Sequence, residues 1–352
     1  MDRAQIESII VDMATKARRA ARVIGALPTA VKNRILLDVG EALLARQDFL
    51  LAENEKDLIE ADGRGITPAM RNRLQIGPQG IADMVRGLRE VAALEDPVGE
   101  VNEMSNRPSG ITVGRMRVPL GVVCMIYEAR PNVTIDAAAL CVKAGNAVIL
   151  RGGSEAIRSN LALAGVLQEV LARHQVDPAI VQVLSFTDRE GIDVLLQQEE
   201  CIDLVIPRGG EGLIRAVTEK SRIPVLKHYK GVCHAYVDED ADLDMAVRII
   251  LNAKVQRPGV CNALECLLVH REAAQSFLPR LAERLAPQGV TFRACPRSLA
   301  LLGASAQPAA ADDYGREFLA LTLAVKVVDT QTEAEEHIAA YGSGHSEAIL
   351  TK

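Results

Sequence analysis

Five short apolar runs, at residues 121–126, 146–150, 180–184, 202–206 and 223–226, alternate with stretches of helical spacing at 133–144, 155–174, 188–197 and 211–220. This alternation leaves few folds open. A strand that is apolar throughout must be covered on both faces, and strands joined through helices run parallel. The arrangement that satisfies both is an α/β fold, a doubly wound parallel sheet with helices on each side. Ligands of such sheets bind beyond the carboxyl ends of the strands.

Two of those ends carry glycine. Arg151-Gly152-Gly153-Ser154 leads into the helix at 155–174, and Arg208-Gly209-Gly210 into the helix at 211–220. Backbone N–H groups and the positive dipole end at a helix N-terminus attract phosphate, and Arg151 and Arg208 add full charges. Neither turn matches G-x-G-x-x-G. A nucleotide phosphate and an ordinary helix cap beside surface arginines fit this spacing about equally.

The flanks differ. Residues 2–95 read as amphipathic helices, with Ile6, Ile9, Ile10 and Met13, then Ile35, Leu36, Val39, Leu43 and Leu44, at helical spacing. Residues 101–118 hold Pro108, Gly110 and Gly114 among short alternating runs, a hairpin that leaves the body of its domain. Exposed strands of that kind pair with another subunit. From residue 230 a second α/β unit begins, with strands at 235–237, 264–269, 289–292 and 347–352, helices at 242–253, 273–285 and 332–341, and a surface loop or short helix at 303–311. The boundaries expected are 1–100 with 119–229, the hairpin 101–118, and 230–352.

The second unit holds a candidate nucleophile. Cys261 follows Pro258-Gly259-Val260, a turn in which proline fixes its own φ and glycine is free to take unusual angles. A strand broken only by Glu265 comes next. A small core cysteine is the plain alternative, but the turn, polar Asn262 and basic Arg257 favour a thiol held where a ligand can reach it.

Charge and cysteine usage exclude other classes. Lys and Arg total 40 against 46 Asp and Glu, a net charge of −6, with no basic block and no tryptophan, which argues against nucleic acid as a partner. No apolar run reaches the roughly 18 residues of a membrane span, and the polar start Met1-Asp2-Arg3 is no signal peptide. Seven cysteines without a C-x-x-C pair suit reduced thiols in a cytosol. The Cys261/Cys266 spacing and the scattered histidines give no zinc ligand set, so no metal is expected.

VPLGVVCMIYEARPNVTIDAAALCVKAGNAVILRGGSEA (residues 118–156) and QRPGVCNALE (256–265) resemble the gamma-glutamyl phosphate reductases, or glutamate-5-semialdehyde dehydrogenases, a divergent branch of the aldehyde dehydrogenase superfamily. The resemblance covers nearly the whole chain. It implies an aldehyde dehydrogenase-like fold, with an NADP-binding domain, a catalytic domain and an oligomerisation hairpin. It also implies NADPH as cofactor and reduction of L-glutamyl 5-phosphate, the second step of proline biosynthesis from glutamate. A homo-oligomer in the cytoplasm is implied, with the upstream glutamate kinase as a partner.

By the same resemblance Cys261 is the thiol that forms a thioester, and Asn132 the side-chain oxyanion donor. Arg151 stands where the superfamily has a lysine on the adenosine ribose. Glu317 holds the nicotinamide ribose, although Ala320-Leu321 replaces the usual Gly-Pro. Arg130, Lys227, Lys230 and Arg257 are the cations available for the substrate's phosphate and carboxylate, one or two of them being used. The water-activating glutamate of hydrolytic members has no counterpart, since its position falls near His228. Family members continue for tens of residues past Lys352, so a truncated chain is expected. A coenzyme A-acylating aldehyde dehydrogenase, which also lacks that glutamate, and an inactive homologue remain as alternatives.

Overall fold

Apolar stretches too long to be left in water become the strands, and the amphipathic ones cover them. The computed structural model describes residues 1–227 and 229–352, and the chain divides into two units, Met1–His228 and Tyr229–Lys352.

The first unit opens with helices α1 (Arg3–Gly25), α2 (Thr29–Ala45), α3 (Gln47–Gly63), α4 (Pro68–Leu74) and α5 (Pro78–Ala93). A capping box starts α1: Asp2 Oδ1 accepts the Gln5 N–H at 2.8 Å and Gln5 Oε1 accepts the Asp2 N–H at 3.1 Å. Strands β1 (Val101–Asn106) and β2 (Thr112–Met116) then form an antiparallel hairpin exposed at every residue. The alternating part follows as β3 (Val122–Tyr127), α6 (Asn132–Lys143), β4 (Ala147–Arg151), α7 (Ile157–Arg173), β5 (Val181–Val183), α8 (Arg189–Leu195), β6 (Leu204–Arg208) and α9 (Glu211–Lys220). The sheet is parallel, in the order β5-β4-β3-β6.

Both faces are covered. Ile6, Ile10, Ala14 and Ala17 of α1 pack with Val122, Cys124, Ile126 and Ile149. On the other face, α2, α5, α6 and α7 pack over Val148, Leu150 and Val181. Burying each isoleucine contributes about 2 kcal/mol. The helical stripes differ in detail from the periodic reading. Ile9, Leu44 and Leu161 are exposed: in α1 alanines such as Ala14 and Ala17 share the buried face, in α2 Leu43 is buried beside Leu44, and in α7 Leu163 and Leu167 are buried. Residues 223–226 form no full strand, only the bridge Val205↔Val225. Pro224 supplies its carbonyl to Val205 but has no N–H to continue the ladder.

In the second unit β7 (Cys233–Val237), α10 (Leu243–Val255), β8 (Leu264–His270), α11 (Arg271–Leu285), β9 (Thr291–Ala294), α12 (Pro296–Leu302), β10 (Ala306–Pro308), β11 (Thr322–Val328), α13 (Gln331–Tyr341) and β12 (Glu347–Leu350) follow in turn. The sheet order is β10-β9-β11-β8-β7-β12, with parallel pairs. The Ala-rich segment read as a surface loop or short helix instead adds β10 to the sheet edge beside β9. The strand placed at 289–292 begins two residues later, because Gly289 takes φ +82° to turn the chain after α11. Among the described residues no helix is long and apolar enough to cross a membrane.

Candidate active site

Helix α10 ends at Val255 and β8 begins at Leu264, which leaves Cys261 on the connecting turn. Two hydrogen bonds tighten it, Val260 N–H to Arg257 O at 3.3 Å and Ala263 N–H to Val260 O at 3.1 Å. The Cys261 residue is half-buried, and its own N–H donates to no acceptor among the described residues. Gly259 does not use its freedom for a positive φ, and a Cβ there would meet only Leu319 O at 3.9 Å.

The glycine that matters at this site is Gly231. A Cβ on it would stand 1.9 Å from Cys261 O and 3.0 Å from Glu317 Oε1. Its buried backbone therefore lies directly against the nucleophile's carbonyl and the candidate ribose-binding carboxylate. Cys233 completes the wall, its thiol donating to Cys261 O at 3.3 Å. Burial, with nearby Glu347, pushes the Cys233 thiol up to about 11, so it stays protonated and is a hydrogen-bond donor rather than a second nucleophile. His345 Nδ1 lies 3.7 Å from that sulfur, and Ser343 Oγ accepts the Val232 N–H at 2.9 Å. The segment before β12 thus borders the Cys261 turn. Gly231, Cys233 and His345 were not singled out from sequence, because their roles come from loops far apart in the chain.

In the first unit Asn132 is the first residue of α6 and is exposed. Its amide donates to Asp136 Oδ2 at 2.9 Å, one helical turn on, which fixes the rotamer and leaves a second amide N–H to spend. Gly152 has no space for a side chain, since a Cβ would lie 2.1 Å from Asn160 Nδ2 and 3.1 Å from the Tyr127 ring. Behind it Tyr127 Oη, Thr134 Oγ1 and Asn160 Oδ1 form a buried chain at 2.7 and 3.0 Å. Arg151 reaches Thr187 O at 3.4 Å.

The two glycine turns are not equivalent. Ser154 begins a 3-10 turn, Ser154–Ala156, and α7 starts only after it. The N–H groups of Arg158 and Ser159, at the start of α7, go to the buried Asp57 carboxylate at 3.3 and 2.8 Å. At the second turn Gly210 caps α9, and its N–H meets Glu128 Oε1 at 2.9 Å. The acceptor at this turn is thus a carboxylate oxygen. A Cβ on Gly209 would be 2.7 Å from the same group. The donor set therefore fits an anion at the start of α9, provided Glu128 moves aside. Ser154 Oγ and Gly153 lie beside the carboxylate of Glu155.

The candidate cations Arg130, Lys227 and Lys230 are exposed, as is Arg257 on the Cys261 turn, and Arg208 is exposed beside Gly209. The position assigned to the missing general base, near His228, lies outside the described residues. One reading is corrected: the histidines do converge. His234, Cys266 and His337 bring ligand atoms within 4.8 Å of one another in the second unit, His234 and Cys266 being partners across β7 and β8. Lys326 Nζ lies 3.4 Å from His337 Nδ1, and that cation works against a second positive charge in the cluster.

Residues 2–291 match the model of the aldehyde dehydrogenase family. The chain is 57% identical over 346 residues to a gamma-glutamyl phosphate reductase of Desulfatibacillum aliphaticivorans, covering 98% of this chain and 82% of that one. It is 57% identical over 347 residues to the enzyme of the same name from Nitratidesulfovibrio vulgaris strain DP4, covering 99% and 83%. The crystal structure of gamma-glutamyl phosphate reductase from Thermotoga maritima superposes with a TM-score of 0.93 at 40% identity, over 97% of this chain and 83% of that one.

Proposed function

The chain belongs to the aldehyde dehydrogenase family and, within it, to the gamma-glutamyl phosphate reductases, and from that premise we propose that Cys261 carries the glutamyl group as a thioester that NADPH reduces. It is an oxidoreductase that acts on a small molecule and takes a nicotinamide cofactor. The reaction is reduction of L-glutamyl 5-phosphate to L-glutamate 5-semialdehyde and phosphate, a step of proline biosynthesis. The observation that carries this reading is the Cys261 turn: a reachable sulfur, an unspent N–H on the same residue, and Glu317 against the same glycine.

The Cys261 thiolate attacks the acyl carbon, phosphate leaves with the C–O bonding electrons, and a thioester forms on Sγ. The oxyanion of this step takes hydrogen bonds from the Cys261 N–H and the Asn132 amide. A reduced nicotinamide, when bound, supplies hydride. The sulfur then leaves as thiolate when the C–S bond breaks. Arg208, Gly209 and Gly210 serve the cofactor phosphates. Arg151, Gly152, Gly153 and Ser154 serve its adenosine end, and Glu317 its nicotinamide ribose. Arg130, Lys227 and Arg257 serve the substrate's phosphate and carboxylate. The exposed hairpin of β1 and β2, with Met104, Ile111 and Met116 on its surface, pairs protomers of a homo-oligomer, and glutamate kinase is the upstream partner.

Asn132→Ala is expected to lower kcat about 100- to 1,000-fold, or about 2.7–4 kcal/mol, with little change in KM, because its second N–H acts on charge that develops only in the transition state. Steady-state kinetics on the purified variant check this. The overall reading is tested in reverse, as NADP-dependent oxidation of glutamate semialdehyde. Oxidation that requires phosphate or arsenate supports it, whereas oxidation that requires coenzyme A shows the acylating enzyme instead.

A further inference from the structure

We propose that Lys254 and Glu265 are positioning residues, a buried pair that ties the main chain beside Glu317 to the base of the Cys261 turn. The proposal rests on the roles given above to Cys261 and Glu317. Lys254 is the second-last residue of α10 and Glu265 the second residue of β8, so the pair spans the two ends of the turn. Both side chains are almost fully buried, at 0% and 1% exposure. Lys254 Nζ donates to Leu264 O at 2.8 Å and to Glu265 Oε2 at 2.7 Å. Glu265 Oε1 accepts the Leu319 N–H at 3.1 Å.

Two further features fit a device for placing these groups. The β7–β8 register shifts at this point, Cys233 pairing with Leu264 and His234 with Cys266, so Glu265 is the extra residue of a bulge. A bulge re-aims a side chain, and bulges concentrate beside active sites. Leu319, which Glu265 holds, has φ +53°, an unusual conformation for a residue other than glycine. Its carbonyl also faces Gly259 of the Cys261 turn.

Stability alone does not call for this pair. Removing two charges from water costs about as much as their attraction returns, and well-packed apolar residues often replace such pairs without loss. Burial pushes the Glu265 carboxyl up and the Lys254 ammonium down, the direction expected when desolvation opposes both charges. A leucine at 265 would continue the apolar run of β8. What leucine cannot do is accept the N–H of Leu319, which lies two residues from Glu317.

The test compares Lys254→Met/Glu265→Leu with Lys254→Met/Glu265→Gln in the full chain. Amide exchange at Leu319 is expected to rise about tenfold or more in the leucine variant while exchange in α10 and α11 stays at wild-type rates. Its kcat/KM for the nicotinamide cofactor is expected to fall about 100-fold, while iodoacetamide alkylates Cys261 at the wild-type rate. The glutamine variant keeps an acceptor oxygen and is expected to restore protection and cofactor kinetics to within about threefold of wild type. A folded leucine variant with wild-type exchange at Leu319, or with wild-type cofactor kinetics, overturns the proposal. So does a glutamine variant no better than the leucine one. Should the leucine variant not fold, the wild-type chain decides: a protected Leu319 amide supports the tether, and a free-peptide exchange rate there overturns it. A wild-type chain that turns over no semialdehyde sinks the functional reading instead, and leaves the exchange result standing.

Discussion

Cys261→Ser is expected to lower cofactor-dependent turnover at least about 1,000-fold, a loss of about 4 kcal/mol in transition-state stabilisation. A serine hydroxyl is scarcely ionised at neutral pH, and an alkoxide is a far poorer leaving group than a thiolate when the tetrahedral adduct collapses. No neighbour can take over. The Cys233 thiol sits against the same carbonyl, but burial holds it protonated, up at about 11. The fold should survive, because Cys261 is only half-buried on a turn and serine is nearly its size, so the melting temperature should stay within about a degree or two. Turnover within tenfold of wild type would mean that hydride reaches the acyl phosphate directly, and the thioester route would be lost.

The parallel sheets were readable because continuous apolar runs separated by helical spacing have few ways to be buried. Where that reading failed, the cause is local. Pro224 has the apolar neighbours of a strand but no N–H to extend one. Ile9, Leu44 and Leu161 repeat at helical spacing, yet neighbouring positions such as Ile10, Leu43 and Leu163 are the buried ones, and period alone does not show where the buried stripe ends. Cys261 was visible because a turn chemistry and a nucleophile sit within four residues of each other. Its surroundings were not. Cys233 is 28 residues away and His345 is 112 from Cys233, and only the parallel order β8-β7-β12 brings them together. Glu265 left a trace as the one charge in an apolar strand, without showing its partners: Lys254 lies across the turn, and the Leu319 N–H comes from beyond two further strands of the chain, β9 and β10.

Gly231→Ala gives the sharper test of the site's geometry. The added methyl would stand 1.9 Å from Cys261 O, about 1.5 Å inside the 3.4 Å at which ordinary contact begins. Both groups involved are backbone, so no side chain can rotate away. Either the Cys261 turn is pushed outward, or residues 231–233 retreat and take with them the Cys233 bond to Cys261 O and the Val232 bond to Ser343. The methyl also meets Glu317 Oε1 at 3.0 Å, so the carboxylate proposed for the nicotinamide ribose shifts as well. A displacement near 1 Å at reacting groups costs about 100-fold in rate, and forcing an extra methyl into a filled site costs about 1–3 kcal/mol of stability. We therefore expect kcat to fall about 100-fold or more, with a lowered melting temperature but a folded chain. Gly259→Ala is the matched control two residues before the nucleophile: its methyl finds only an ordinary 3.9 Å contact, and turnover should stay within about threefold. If the alanine at 231 left kcat above half of wild type, or if both alanines cost the same, the close approach of Gly231 to the Cys261 carbonyl would not be what places the sulfur.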